Sequence, residues 1–74
     1  MNGQNVKIVW KQKANPTRDV AAGYETGIFP IHSLMLKLSL NRSSTVNKVA
    51  KDFVEEWCGI EGCIDRIVSI EEVE

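Results

Sequence analysis

The sequence predicts a small α+β domain in which one amphipathic helix packs on one face of a three- or four-stranded, mostly antiparallel sheet, in the order strand, strand, helix, strand. Three observations carry this reading. Val46, Val49, Ala50, Phe53, Val54, Trp57 and Cys58 recur at helical spacing, and at about 100° per residue they cover roughly half a cylinder. Apolar and polar residues alternate over 6–11 and again over 33–41, the period of a half-buried strand. A chain of 74 residues suffices for one core and is too short for two, so residues 1–74 read as a single domain.

The elements follow in order. After a polar lead over 2–5, Val6, Ile8 and Trp10 form the apolar face of a first strand whose reverse face carries Lys7, Val9 and Lys11. Asn15 and Pro16 end it, because a proline biases the residue before it towards extended backbone. The connection 15–32 is long for a compact domain, so either a short strand lies in it or it is a functional loop. Leu34, Leu36, Leu38 and Leu40 alternate with Met35, Lys37, Ser39 and Asn41, which reads as the second strand. Ser43 and Ser44 offer caps for a helix running from about 45 to 58, and Gly59 can close it in the left-handed conformation. The β-branched segment from Ile64 to Val73 is the last strand, with Ile64, Val68 and Ile70 on one face, Ile67 and Val73 on the other, and an acidic tail over 71–74.

A helix of about fourteen residues is roughly 21 Å long and matches strands of six or seven residues. The passage from Leu34 to Ile70 resembles β-grasp (ubiquitin-like) domains in its strand-helix-strand order. That resemblance implies a fold and no function. The chain ends Glu-Val-Glu where ubiquitin-like and sulfur-carrier proteins have Gly-Gly, so the conjugation reading loses its reactive end.

Net charge is −1, unevenly distributed. Residues 1–42 hold six cations against two carboxylates, a net of +4, and residues 43–74 hold three against eight, a net of −5. A basic and an acidic region are expected. The apolar stretches are interrupted by Pro30, His32 and Lys37, too short for a membrane span or a signal-peptide core, which makes cytoplasmic residence the expectation.

Catalytic and metal chemistry find little footing. Cys58, Cys63 and His32 fall short of the four ligands of structural zinc, so no metal and no cofactor are expected. A disulfide across the turn between the two cysteines fits their spacing only in an oxidising compartment; Cys58 otherwise completes the helix stripe. Nucleophilic catalysis needs a thiol or hydroxyl beside a base, and nothing sets the single histidine next to either. Glu55 with Glu56, and Glu71 with Glu72, are adjacent in sequence and point apart on a helix or strand. The chain therefore reads as no enzyme.

Binding residues are easier to find. Arg18, Tyr24 and Phe29 in the long connection are types enriched at protein interfaces. The sheet face away from the helix should expose Val9, Met35, Ile67 and Val73 among Lys7, Lys11 and Lys37, a mixed apolar and basic surface. Glu55 and Glu56 at the C-terminal end of the helix oppose its macrodipole, as a binding rim would. The expected function is a small protein-binding module, an adaptor or stoichiometric inhibitor acting by surface occlusion, whose uncovered face also offers a route to a homodimer by sheet stacking or edge pairing. The alternative is nucleic-acid binding by Lys7, Lys11, Lys13 and Lys37, for which an aromatic platform on that face is wanting.

Overall fold

A computed structural model of the chain describes residues 3–74; the Asn2 part of the polar lead lies outside the described residues. The order is β1 (Asn5–Gln12), β2 (Gly23–Pro30), α1 (Ile31–Leu40), α2 (Val46–Cys58) and β3 (Ile64–Val73), with a single 3-10 turn over Pro16–Arg18. The three strands form one antiparallel sheet in the order β2-β1-β3. Two helices, not one, cover one of its faces: α1 packs over β2 and β1, and α2 over the β3 side.

β1 is the centre of the sheet. Val6, Ile8 and Trp10 are buried against the helices, as their alternation requires, while Lys7, Val9 and Lys11 point to the other side. The core is completed by Phe29, Leu34, Val49, Ala50, Phe53, Val54 and Ile64. Ile64 heads β3, whose pairing with β1 shifts register twice, between Val9 and Trp10 and between Lys11 and Gln12. These bulges break the simple alternation of the last strand. Ile67 and Ile70 both pack on the core and Val68 is exposed, so Ile67 is removed from the uncovered face on which it was expected.

The expected strand over 33–41 is a helix. Leu34 is buried, with Ile31 and Leu38 packed beside it, at offsets of three and seven along one face. Leucine, methionine and lysine are good helix formers, and the segment has no β-branched residue after Ile31 to favour extended backbone. Leu36 and Leu40, which made the alternation look strand-like, are exposed on the outer side. The strand missing from that position lies in the long connection, as β2.

Gly27 explains why β2 is hard to read. It occupies a core-facing position opposite Ile8, and a Cβ placed there would sit 2.6 Å from Cζ of the Phe29 ring and 3.2 Å from the Trp10 ring. Both rings are buried and cannot swing aside. Gly27→Ala is expected to lower stability by about 1–3 kcal/mol through overpacking, measured as a shift of the urea midpoint with the slope unchanged.

α2 runs where its periodicity places it. Thr45, rather than Ser43 or Ser44, is the cap: its hydroxyl accepts from the Lys48 N–H at 3.2 Å. Gly59, at φ +70°, closes the helix. The buried arc is Val49, Ala50, Phe53, Val54 and Glu55. The outer ends of the apolar stripe, Val46, Trp57 and Cys58, are exposed, although Trp57 still meets Phe29 edge-to-face at 5.8 Å between centroids. Cys63, not Cys58, is the buried thiol, and the two are unlinked.

Candidate functional site: the open face of the sheet

No described element packs on the second face of the sheet, and the register decides what it displays. Lys7 lies opposite Ile28 of β2 and Glu71 of β3, Val9 opposite Thr26 and Ser69, and Lys11 opposite Tyr24. Tyr24 and Ile28 are among the most exposed apolar residues of the chain. The Lys11 ammonium stands 6.0 Å from the Tyr24 ring centroid, within cation–π reach, and Lys7 pairs with Glu71 at 3.7 Å across the strands. The surface is thus a row of apolar side chains with cations held between them. Both ion contacts are well exposed, so they orient side chains more than they stabilise the fold.

Of the residues singled out from sequence, Lys7, Val9, Lys11 and Tyr24 meet on this face, and Val73 lies at its end opposite Asn5. The others are placed elsewhere. Phe29 is not a loop anchor; it points to the opposite side of β2 and is in contact with Phe53 at 5.4 Å and Trp10 at 6.4 Å between centroids. Met35 and Lys37 belong to α1 and leave the sheet face altogether, Lys37 reaching across to Glu56 of α2. Arg18 remains exposed but is engaged: its guanidinium donates to the Gly59 carbonyl and to Glu61, each at 3.0 Å, tying the β1–β2 loop to the turn after α2. Lys13 lies past the end of β1, its N–H bonded to the Cys63 carbonyl.

Glu55 is the largest departure. Its carboxylate is buried and accepts from the N–H groups of Gly62 at 3.0 Å and Ile64 at 3.2 Å. A carboxylate near a helix C-terminus opposes the macrodipole, yet here it satisfies two donors of the turn that starts β3. The charge placement that suggested a binding rim has a structural cause.

Among the described residues no three His, Cys, Asp or Glu side chains are grouped to hold a metal. A shallow depression beside the start of α2 is lined by Asn47, Lys48, Lys51, Asp52, Arg66 and Ile67, and is open to solvent. His32 is exposed on α1 and Cys58 is exposed at the end of α2. Partial burial raises the Cys58 thiol above its ordinary value, which lowers its thiolate fraction at neutral pH. One thiol per folded chain is therefore expected to react with iodoacetamide, at Cys58, more slowly at neutral pH than a free cysteine and faster as pH rises. Cys63 should react only on unfolding, and peptide mass spectrometry separates the two.

The residues that sequence reasoning missed are Ile28, Leu36 and Leu40, all strongly exposed. A helical reading of 31–40 would have found the last two, since that helix is apolar on both sides. No helix among the described residues is long and apolar enough to cross a membrane. No protein-family model matches the chain, and no curated protein or solved structure matches it either.

Proposed function

We propose that the protein is a non-catalytic binding module that docks the open face of its sheet on another protein and blocks the surface it covers. The observation that carries this reading is the grouping of Val9, Tyr24 and Ile28 with Lys7 and Lys11 on one uncovered sheet face. Apolar contact supplies affinity, and the two lysines favour a partner whose apolar patch is edged by carboxylates. The test is affinity capture with the full chain followed by titration of the purified partner. Lys11→Glu should weaken binding at least tenfold and leave the thermal melt unchanged; binding indifferent to that reversal, or no discrete partner, refutes the reading.

A second reading is favoured by one specific contact. Tyr24 supplies, beside Lys11, an aromatic surface on which an unpaired base can stack. Two phosphates neutralised by Lys7 and Lys11 would give a salt slope of about −1.4 for a single strand. Titration of a fluorescent oligonucleotide separates the classes: the protein-binding reading expects no saturable binding at physiological salt, and the nucleic-acid reading expects binding that Lys7→Ala and Lys11→Ala each weaken.

A further inference from the structure

β2 and β3 are the two edges of the sheet, and they differ. The β3 edge carries two register shifts and charged side chains at Asp65, Arg66, Glu71 and Glu72, devices that discourage further pairing. The β2 edge runs eight residues against β1 without a shift. The Ile31 N–H bonds the Gln4 carbonyl, which fixes the alternation along the pair: Gly23, Glu25, Gly27 and Phe29 turn their backbone groups to β1. Tyr24, Thr26 and Ile28 turn theirs outward, away from the ladder with β1, and no turn, loop or cap hydrogen bond among the described residues uses them. Pro30, also outward, has no N–H to offer and marks where pairing stops.

We propose that the chain forms a two-fold dimer by antiparallel pairing of β2 with β2 of a second copy, centred on Thr26. This register matches all three outward N–H groups with carbonyls. It sets Tyr24 opposite Ile28 of the second copy on the open face, twice, an aromatic and β-branched pairing of the kind that stabilises sheets. Centring the pair on Glu25 instead would oppose two carboxylates. On the covered side, Glu25 meets Gly27 of the second copy, beside the Phe29 ring that lies over that glycine.

The helix layer extends the same surface. α1 lies over the β2 side of the sheet and α2 over the β3 side, and Lys37 marks the flank of α1 that faces α2. Met35 precedes Lys37 by two residues, about 200° of turn, so it lies on the opposite flank, above the β2 edge, whereas Leu36 faces away from the core and stays outside this surface. Tyr24, Ile28 and Met35 are 58–63% exposed, so each keeps more than half of its surface free at or beside this edge. With the strand backbone and Thr26 added, the edge makes an interface of the weak, concentration-dependent class, below about 1,200 Å² in total. The dimer does not rest on the proposed function: it uses the edge of β2, and the open faces of the two copies remain uncovered as one six-stranded surface.

Sedimentation equilibrium of the full chain from low to several hundred micromolar is the test. The mass should rise towards twice 8.3 kDa. Thr26→Pro should hold it at the monomer value with the helical and sheet signal intact, because the Thr26 N–H makes no bond to β1. Should that variant fail to fold, Ile28→Lys replaces it, with association weakened at least tenfold. Val68→Lys on the opposite edge should leave the dimer unchanged. A reporter of register is Thr26→Cys in a Cys58→Ser background, which should form an intermolecular disulfide under mild oxidation, since Cα atoms of a hydrogen-bonded antiparallel pair lie about 5.5 Å apart. A wild-type chain that stays at 8.3 kDa throughout, a dimer that survives the β2 substitutions, or one that Val68→Lys abolishes overturns the proposal.

Discussion

Glu55→Ala is expected to lower the unfolding free energy by about 2–4 kcal/mol, although the residue is a glutamate near the end of a helix and would be taken for a surface position. Removing the carboxylate leaves the N–H groups of Gly62 and Ile64 without their acceptor. Ile64 is fully buried, so water does not readily replace the lost partner. An unsatisfied buried donor costs about 1–3 kcal/mol, and bonds to a charged acceptor sit at the upper end. Glu55→Gln keeps the shape and one acceptor oxygen, and should recover about half of the loss. The measurement is urea unfolding of the three proteins at neutral pH, with amide exchange at Gly62 and Ile64 as the local readout. Equal stability of wild type and Glu55→Ala would mean that the turn holds itself without the carboxylate.

Phe29→Ala is expected to be more severe, at about 3–5 kcal/mol, the usual cost of emptying a buried aromatic site. Phe29 is 3% exposed and stacks among Trp10, Phe53 and Trp57, so several rings lose a neighbour together. A domain of this length holds about 4–11 kcal/mol in all. The variant should therefore lose its cooperative melt at or near room temperature, whereas Phe29→Leu, which keeps most of the volume, should fold with a lower midpoint. Near-ultraviolet circular dichroism follows this directly, since the tryptophans report on the cluster. Under the proposed docking, any loss of binding in Phe29→Ala would then follow from loss of the fold, and the leucine variant would retain binding.

These two residues also show where the sequence could be read and where it could not. β1 and α2 are legible because their apolar residues sit on one side only: Val6, Ile8 and Trp10 in one case, Val49, Ala50, Phe53 and Val54 in the other. α1 is not, because Leu36 and Leu40 face away from the core and superimpose a false period of two on the true helical one. β2 is hidden for the opposite reason. Its covered face has one large apolar residue, Phe29, whose ring occupies the space a side chain at Gly27 would need. The candidate site is partly legible in consequence: the lysine-bearing face follows from β1 alone, while Tyr24 and Ile28 join it only once β2 is known to be a strand. Glu55 is invisible in principle, since its role depends on two backbone groups in a turn that the helix pattern says nothing about.

The central place of β1 governs how the domain must assemble. Its pairing with β2 closes a short loop, Gln12 against Gly23, but its pairing with β3 joins Asn5 to Val73 and Gln12 to Ile64, more than fifty residues apart at every rung. Loop-closure entropy makes the second pairing harder to start by about 1.5 kcal/mol. The β1–β2 hairpin and the two helices can form from local contacts, so β3 is expected to arrive last. Until it does, the strand that is innermost in the finished sheet is an open edge, and the run Val6–Trp10 is the segment most exposed to capture by a neighbouring chain.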